Sequence, residues 1–179
     1  CGSFSDHSLH TRGSFEAFRR TSSPQRWLYT HRDGKWSHYY SDDASRTRLQ
    51  FFDHVLKGAD NGWGTVPPVR IAVHEAGPVP VAVTNETAWP PTDLTWETLF
   101  LDALDHTLDE QAPEEPAAVA FRTGRATASF SWTVPEDLDV IGHLAARLHV
   151  ELREIDDVHL FVGVRKLRGA DEVTFEGSF

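Results

Sequence analysis

Two residues near the start of the chain have the types and the spacing of a catalytic pair. Asp6 follows the short apolar run CGSF, and His31 follows the run RWLYT, with one helix-like segment between them. In an open parallel sheet, reactive groups collect beyond the carboxyl ends of the strands. Neighbouring strands lie ~4.8 Å apart, so the Asp6 carboxylate can reach the imidazole of His31. There it would fix the ring tautomer while the other nitrogen deprotonates a nucleophile.

The segments around this pair predict a strand, a helix and a second strand. Residues 1–4 read as the end of a buried strand, and residues 26–30 are compact and aromatic, which is typical of the next strand. Between them, Phe15 and Phe18 are three residues apart, which predicts a helix over residues 9–20. A chain order of Asp, helix and His is what remains of the order Ser, Asp, His when the Ser-bearing half is removed.

A second helix follows His31. Ser41 is a good N-cap, and Gly58 can end the helix in the left-handed conformation. One apolar stripe runs along this predicted helix, and it consists of Leu49, Phe52 and Leu56. The turn-rich segment 59–68 then predicts a domain boundary.

The hydrophobic period changes from about 3.6 to 2 after residue 68. Apolar and polar residues alternate in four segments, which are 69–74, 128–134, 144–153 and 158–164. Such alternation places every second side chain on one buried face of a sheet. The second part of the chain is therefore predicted to be an all-β sandwich.

The sequence as a whole predicts an α/β part followed by an all-β part. Two strands are too few for an independent sheet, so residues 1–62 are expected to belong to a larger sheet built by upstream residues. The chain begins at Cys1 and contains no Met, and it stops at FEGSF, in a strand-like segment. Both ends are therefore expected to be cut from a longer protein.

Several strings together resemble the CocE/NonD family of serine hydrolases, which is related to the X-Pro dipeptidyl-peptidases and cocaine esterase. These strings are CGSFSDHSLHTRGSFEAFRR, RWLYTHRDGKWSHYYS, QFFDHVLKGADNGWGTVPPVRIAV and SFSWTVPEDLDVIGHLAARLHVEL. The resemblance implies that residues 1–62 are the C-terminal end of an α/β-hydrolase catalytic domain. Residues 63–179 would be an unfinished jelly-roll β-sandwich, like the C-terminal domain of X-Pro dipeptidyl-peptidases.

The same resemblance assigns Asp6 as the triad Asp and His31 as the triad His. Related enzymes often carry the triad His in a P-W-x-H context, and the string THRDGKWSHYY leaves His38 as an alternative. Trp36 is a candidate for the substrate pocket. The G-x-S-x-G nucleophile elbow is absent from this sequence, so the Ser is expected upstream. The simpler interpretation of Asp6 is that it caps the following helix.

The predicted function is the C-terminal part of a serine hydrolase for ester or amide bonds, with X-Pro peptides among the candidate substrates. Without its nucleophile and oxyanion donors, this 179-residue piece is expected to be inactive alone. The alternative is a stand-alone β-sandwich module that binds a ligand or a carbohydrate without catalysis. A solvent-exposed row of tryptophans would favour that alternative.

The composition of the chain limits the classes of molecule that it is expected to bind. The formal net charge of −10 disfavours nucleic acid, and the sequence has no apolar run of membrane-spanning length. A single cysteine suits a cytoplasmic location, with secretion as the alternative. His7 and His10 lack a second histidine pair at ligand spacing, so no metal and no cofactor is predicted. The expected partner is a small ester or amide, and a homo-oligomer is compatible with the sequence.

Overall fold

The structure is a computed structural model, and it forms two compact units. It describes residues 1–4, 10–77, 79–122, 124, 126–153 and 156–173. The first unit comprises Cys1–Thr92 and Gly142–Phe179, and the second comprises Asp93–Ile141.

Strands and helices alternate at the start of the first unit, as the sequence predicts. The elements in chain order are β1 (Gly2–Ser3), α1 (His10–Arg20), β2 (Leu28–His31), α2 (Lys35–Tyr39) and α3 (Asp42–Lys57). The short helix α2 was not predicted. None of the helices in the described part of the chain is long and apolar enough to span a bilayer.

Helix α3 has both of the caps predicted for it. The Ser41 hydroxyl accepts a hydrogen bond from the Ala44 amide at 3.2 Å. Gly58 ends the helix with φ of 67°, and its amide donates to the His54 carbonyl at 3.1 Å. Each cap satisfies a backbone group that the helix leaves without an internal partner. The predicted second helix is therefore confirmed at both ends.

A four-stranded mixed sheet holds the first unit together, in the order β1-β2-β3-β4. It includes β3 (Val69–Val73) and β4 (Ala82–Glu86). Strands β1, β2 and β3 are parallel, and β4 is antiparallel to β3. The Ala72 amide also donates to the Thr30 hydroxyl at 2.9 Å. Strand β2 thus pairs with the downstream strand β3 as well as with β1, and a larger sheet completed by upstream residues stays a prediction.

Aromatic residues of helices α1 and α3 pack against aromatic residues outside these helices. Phe15 of α1 is buried and stacks on Trp89, with ring centroids 4.4 Å apart. Trp27 and Phe51 both contact Trp63 edge-on, at 5.4 and 5.3 Å between centroids. Such pairs add to the stability that burial of their large apolar area provides.

Three of the four segments with two-residue alternation are not strands. Residues 69–73 do form β3, but 128–134, 144–153 and 158–164 contain no strand among their described residues. Many of their apolar side chains are exposed, such as Leu144 at 69% and Val164 at 75%, whereas Phe130 and Trp132 are half-buried. Alternation shows that a segment suits a half-buried sheet surface, yet a strand also needs a hydrogen-bonded neighbour. These three predictions are wrong for this structure. In 128–134 only Ser131 is paired, through an isolated bridge to Thr107, and the described residues of the other two segments have no strand partner.

The remaining strands form short hairpins. In the second unit, β5 (Phe100–Asp102) pairs with β6 (Thr107–Asp109). In the first unit, β7 (Leu167–Arg168) pairs with β8 (Asp171–Glu172). The compact units divide at residues 92 and 141. The domain boundary between residues 62 and 63 stays a prediction.

Candidate functional site

His31 is the last residue of β2, at the carboxyl end of a buried parallel strand. Its side chain is only 7% exposed. It lies opposite Ser3 of β1 in the parallel register, and the Phe4 amide donates to its carbonyl at 2.8 Å. This is the edge of a parallel sheet at which reactive groups collect.

Asp6 lies outside the described residues, so its catalytic role and its role as a helix cap both stay predictions. The elements on either side of it are in place. Strand β1 ends at Ser3, and α1 crosses over to β2, which is the parallel neighbour of β1. The two strands that precede Asp6 and His31 are therefore adjacent and parallel, as predicted.

The structure brings the two candidate histidines into direct contact. His38 lies on α2, and its ring stacks on that of His31, with centroids 3.6 Å apart and planes 9° from parallel. The Nδ1 atom of His38 lies 3.4 Å from Oδ2 of Asp33. The sequence left His31 and His38 as alternative candidates for the triad His, whereas in the structure the two rings are in contact.

Burial keeps the His31 ring neutral. Its pKa is lowered from 6.5 to about 4, mainly because the ring is removed from solvent and also because of the charge of His38, while Asp33 has a smaller opposing effect. Its Nδ1 atom and Nε2 of His38 are buried and have no hydrogen-bond partner among the described residues. At neutral pH His31 can therefore accept a proton or donate a lone pair.

Asp33 connects this site to the end of β1. Its backbone carbonyl accepts a hydrogen bond from the Ser3 hydroxyl at 2.9 Å. Its carboxylate faces His38, with Oδ2 3.4 Å from Nδ1 of that ring. The signal that was missed is the spacing H-x-D-x4-H over residues 31–38, in which the turn into α2 brings the last residue back over the first.

Arg32 is a buried charge for which the sequence predicted no role. It directly follows β2, and only 1% of the residue is exposed. Together with burial, which is the larger cause, its positive charge lowers the pKa of His74. The carboxyl edge of the sheet therefore combines a buried cation with two imidazoles, those of His31 and His74, whose pKa values are lowered.

Trp36 lies on α2 but is 63% exposed. Its ring stacks on that of Tyr40, with centroids 6.2 Å apart. Cavities of about 390 and 450 Å³ lie in the first unit, and neither is lined by Trp36, His31 or His38. Its place in a substrate pocket stays a prediction.

Part of this chain is similar to known proteins. Residues 61–175 match the family of X-Pro dipeptidyl-peptidase C-terminal non-catalytic domains. The chain is also similar to two crystal structures of one CocE/NonD family hydrolase from Staphylococcus aureus. Each comparison gives 33% sequence identity and a TM-score of 0.59. Each match covers 62% of this chain and 20% of that hydrolase, so the chain spans about a fifth of its relative's length. No curated protein matches the chain.

Proposed function

Because this chain belongs to the family of X-Pro dipeptidyl-peptidase C-terminal non-catalytic domains, we propose that it is the C-terminal part of a serine hydrolase. The resemblance to CocE/NonD hydrolases that the sequence indicated is confirmed. The proposed enzyme cleaves an ester or amide bond, and an X-Pro peptide bond is one candidate. Its nucleophilic Ser would lie upstream of Cys1 in the complete protein.

One observation carries this proposal. His31 ends a buried strand whose parallel neighbour, β1, leads into the segment that contains Asp6. A crossover helix between two adjacent parallel strands places both loop starts at one edge of the sheet. The second and third members of a Ser-Asp-His triad need this arrangement.

The proposed triad works through the two nitrogens of His31. Nε2 would take the proton from the Ser hydroxyl during attack on the substrate carbonyl and then deliver it to the leaving group. The Asp6 carboxylate would face Nδ1, which is buried and has no partner among the described residues. A carboxylate there would raise the pKa of His31 from about 4 and strengthen it as a base.

We also propose the finer fold assignments that the family suggests. Residues 1–62 would complete an α/β-hydrolase catalytic domain, and residues 63–179 would form a jelly roll in the complete protein. The apolar stripe of α3 supports this, because Leu49, Phe52 and Leu56 are exposed by 61%, 50% and 74%. An apolar stripe that long is usually covered by other parts of a protein. We propose that the rest of the catalytic domain covers it.

The test uses the coding sequence that contains this chain. The longer protein that it encodes should hydrolyse an activated ester, and His31→Gln should lower kcat by several orders of magnitude while folding is retained. His149→Gln is the matched control, since His149 is exposed. Appreciable turnover by the 179-residue chain alone would contradict the requirement for an upstream Ser.

A stand-alone β-sandwich binding module is the other outcome of the same experiment. Its support is that the matched family is described as non-catalytic. It predicts a coding sequence without a G-x-S-x-G elbow and ligand retention without hydrolysis. Either finding would replace the hydrolase proposal.

A further inference from the structure

We propose that His31, Asp33 and His38 form a binding site for a divalent transition-metal ion, with Zn²⁺ as the expected ion. One ligand atom from each of these side chains lies within 4.8 Å of the other two. They come from the end of β2, the following loop and α2, so the turn between these elements assembles the group. The sequence predicted no metal, because no second histidine pair at ligand spacing accompanies His7 and His10.

The distance between Asp33 and His38 fits a shared ion better than a direct ion pair. Nδ1 of His38 lies 3.4 Å from Oδ2 of Asp33, whereas a charge-assisted hydrogen bond is ~2.7–2.9 Å long. Two ligands of a tetrahedral Zn²⁺, each bound at ~2.0–2.1 Å, are separated by about 3.3 Å. These two atoms therefore already have the spacing of neighbouring metal ligands.

His31 supplies the third ligand. It is 7% exposed, and its Nδ1 atom has no hydrogen-bond partner in the described part of the chain. A buried polar atom in that condition is costly, and a metal bond to the ring would offset the cost.

Metal binding requires one ring to turn. The planes of His31 and His38 are 9° from parallel, so their in-plane lone pairs cannot point at one ion while the rings stack. Rotation of the His31 ring about its Cβ–Cγ bond exchanges the stack for coordination. Binding should therefore change the ring resonances of both histidines.

The ligand types select the class of metal. Two imidazoles and one carboxylate suit Zn²⁺ and its first-row neighbours, while Mg²⁺ and Ca²⁺ prefer oxygen ligands alone. Three protein ligands leave a fourth position for water. If His31 is also the proton acceptor of the proposed triad, bound Zn²⁺ would inhibit the hydrolase; the binding itself does not depend on that function.

The test uses the purified 179-residue chain without an affinity tag. Calorimetric titration with Zn²⁺ should give one equivalent at this site, and Asp33→Asn and His38→Gln should each weaken binding by about 100-fold or more. Loss of a residue that only orients a metal ligand weakens binding by ~10–100-fold, and the loss of a direct ligand should match or exceed this. The exposed His149→Gln variant is the matched control and should bind like the wild type.

A second measurement needs no variant. Zn²⁺, but not Mg²⁺, should shift the NMR signals of the His31 and His38 rings in the wild-type chain. Unchanged ring signals, or full affinity in folded Asp33→Asn and His38→Gln, would overturn the proposal. Activity of the longer protein plays no part in either result, so the site and the proposed hydrolase function can fail independently.

Discussion

The imidazole of His38 lies flat against that of His31, with ring centroids 3.6 Å apart. This contact covers one face of a ring at the end of a parallel strand and helps to remove it from solvent. It also places the His38 ring where its charge is one of the causes that lower the pKa of His31. Replacement of the outer ring should therefore change the chemistry of the inner one.

His38→Gln should raise the pKa of His31 above its value of about 4. The variant removes a group that lowers this pKa by its charge and exposes the His31 ring to water, and both changes favour the protonated form. The measurement is an NMR pH titration of the His31 ring in metal-free buffer with a chelator. A pKa that stays at about 4 in His38→Gln, or that rises equally in His149→Gln, would contradict this account.

Acid should destabilise the first unit through His31. Its pKa is about 4 in the folded chain, against a reference value of 6.5, so the unfolded chain binds more protons between these values. The contribution of this ring to stability is complete above pH 6.5 and is lost as pH falls towards 4. The pKa of His74 is also lowered, so it acts in the same direction.

Urea unfolding at a series of pH values through this window checks the linkage. The loss of unfolding free energy from His31 should stay below about 3 kcal/mol, because solvent screens part of the effect. The His31→Gln variant should lose less stability than the wild type over the same window. An equal loss in both proteins would assign the acid sensitivity to other groups.

Gly58, which ends α3, and Gly13, which lies inside α1, should respond to replacement by alanine in opposite ways. Gly58 has φ of 67°, and Gly58→Ala should cost about 1 kcal/mol, although an added Cβ meets nothing within 4 Å. Gly13 lies inside α1 with equally open space, and Gly13→Ala should stabilise by ~0.5–1 kcal/mol. Urea unfolding of both variants gives the comparison. Destabilisation by Gly13→Ala would show that α1 has contacts at this position that the structure does not show.

Leu56→Lys should have little effect on the stability of the 179-residue chain. Leu56 is 74% exposed, so the change in unfolding free energy should stay within about 0.5 kcal/mol. In the longer hydrolase that we propose, the same variant should lose at least about 2 kcal/mol, because a buried leucine becomes a charged residue. Thermal or urea unfolding of both proteins tests this.

Phe15→Ala is the buried counterpart of that variant. Phe15 stacks on Trp89 in the core, so its truncation should cost ~3–5 kcal/mol in either protein. If Leu56→Lys is harmless in the longer protein while Phe15→Ala is not, the α3 stripe is uncovered there, and its proposed burial is wrong.

Local signals in the sequence predicted the local parts of the fold. The capping residues Ser41 and Gly58 give both ends of α3, because each acts on backbone groups a few residues away. The alternation in residues 69–73 likewise predicts β3, which is placed between β2 and β4. The same alternation in 144–153 predicts a strand that the structure lacks, since pairing depends on distant residues that a period cannot identify.

The site was predictable only in part for the same reason. His31 was found because a polar residue directly follows an apolar strand, and that pattern is local. The contact between His31 and His38 depends on the direction in which α2 leaves the loop. The burial of Arg32 depends on packing around the strand end. The H-x-D-x4-H spacing of residues 31–38 does not by itself give that direction, and the burial of Arg32 has no signature in residue spacing.

The pairing of β2 with β3 determines what happens when the polypeptide is cut at residue 62. Leu28 is in register with Val69, so backbone hydrogen bonds join the segments on both sides of residue 62. A proteolytic or recombinant cut there, followed by separation of the halves, would leave two unprotected strand edges, and such edges promote aggregation. Expression of either half by itself should therefore give insoluble material, whereas co-expression of both halves offers a route to soluble protein.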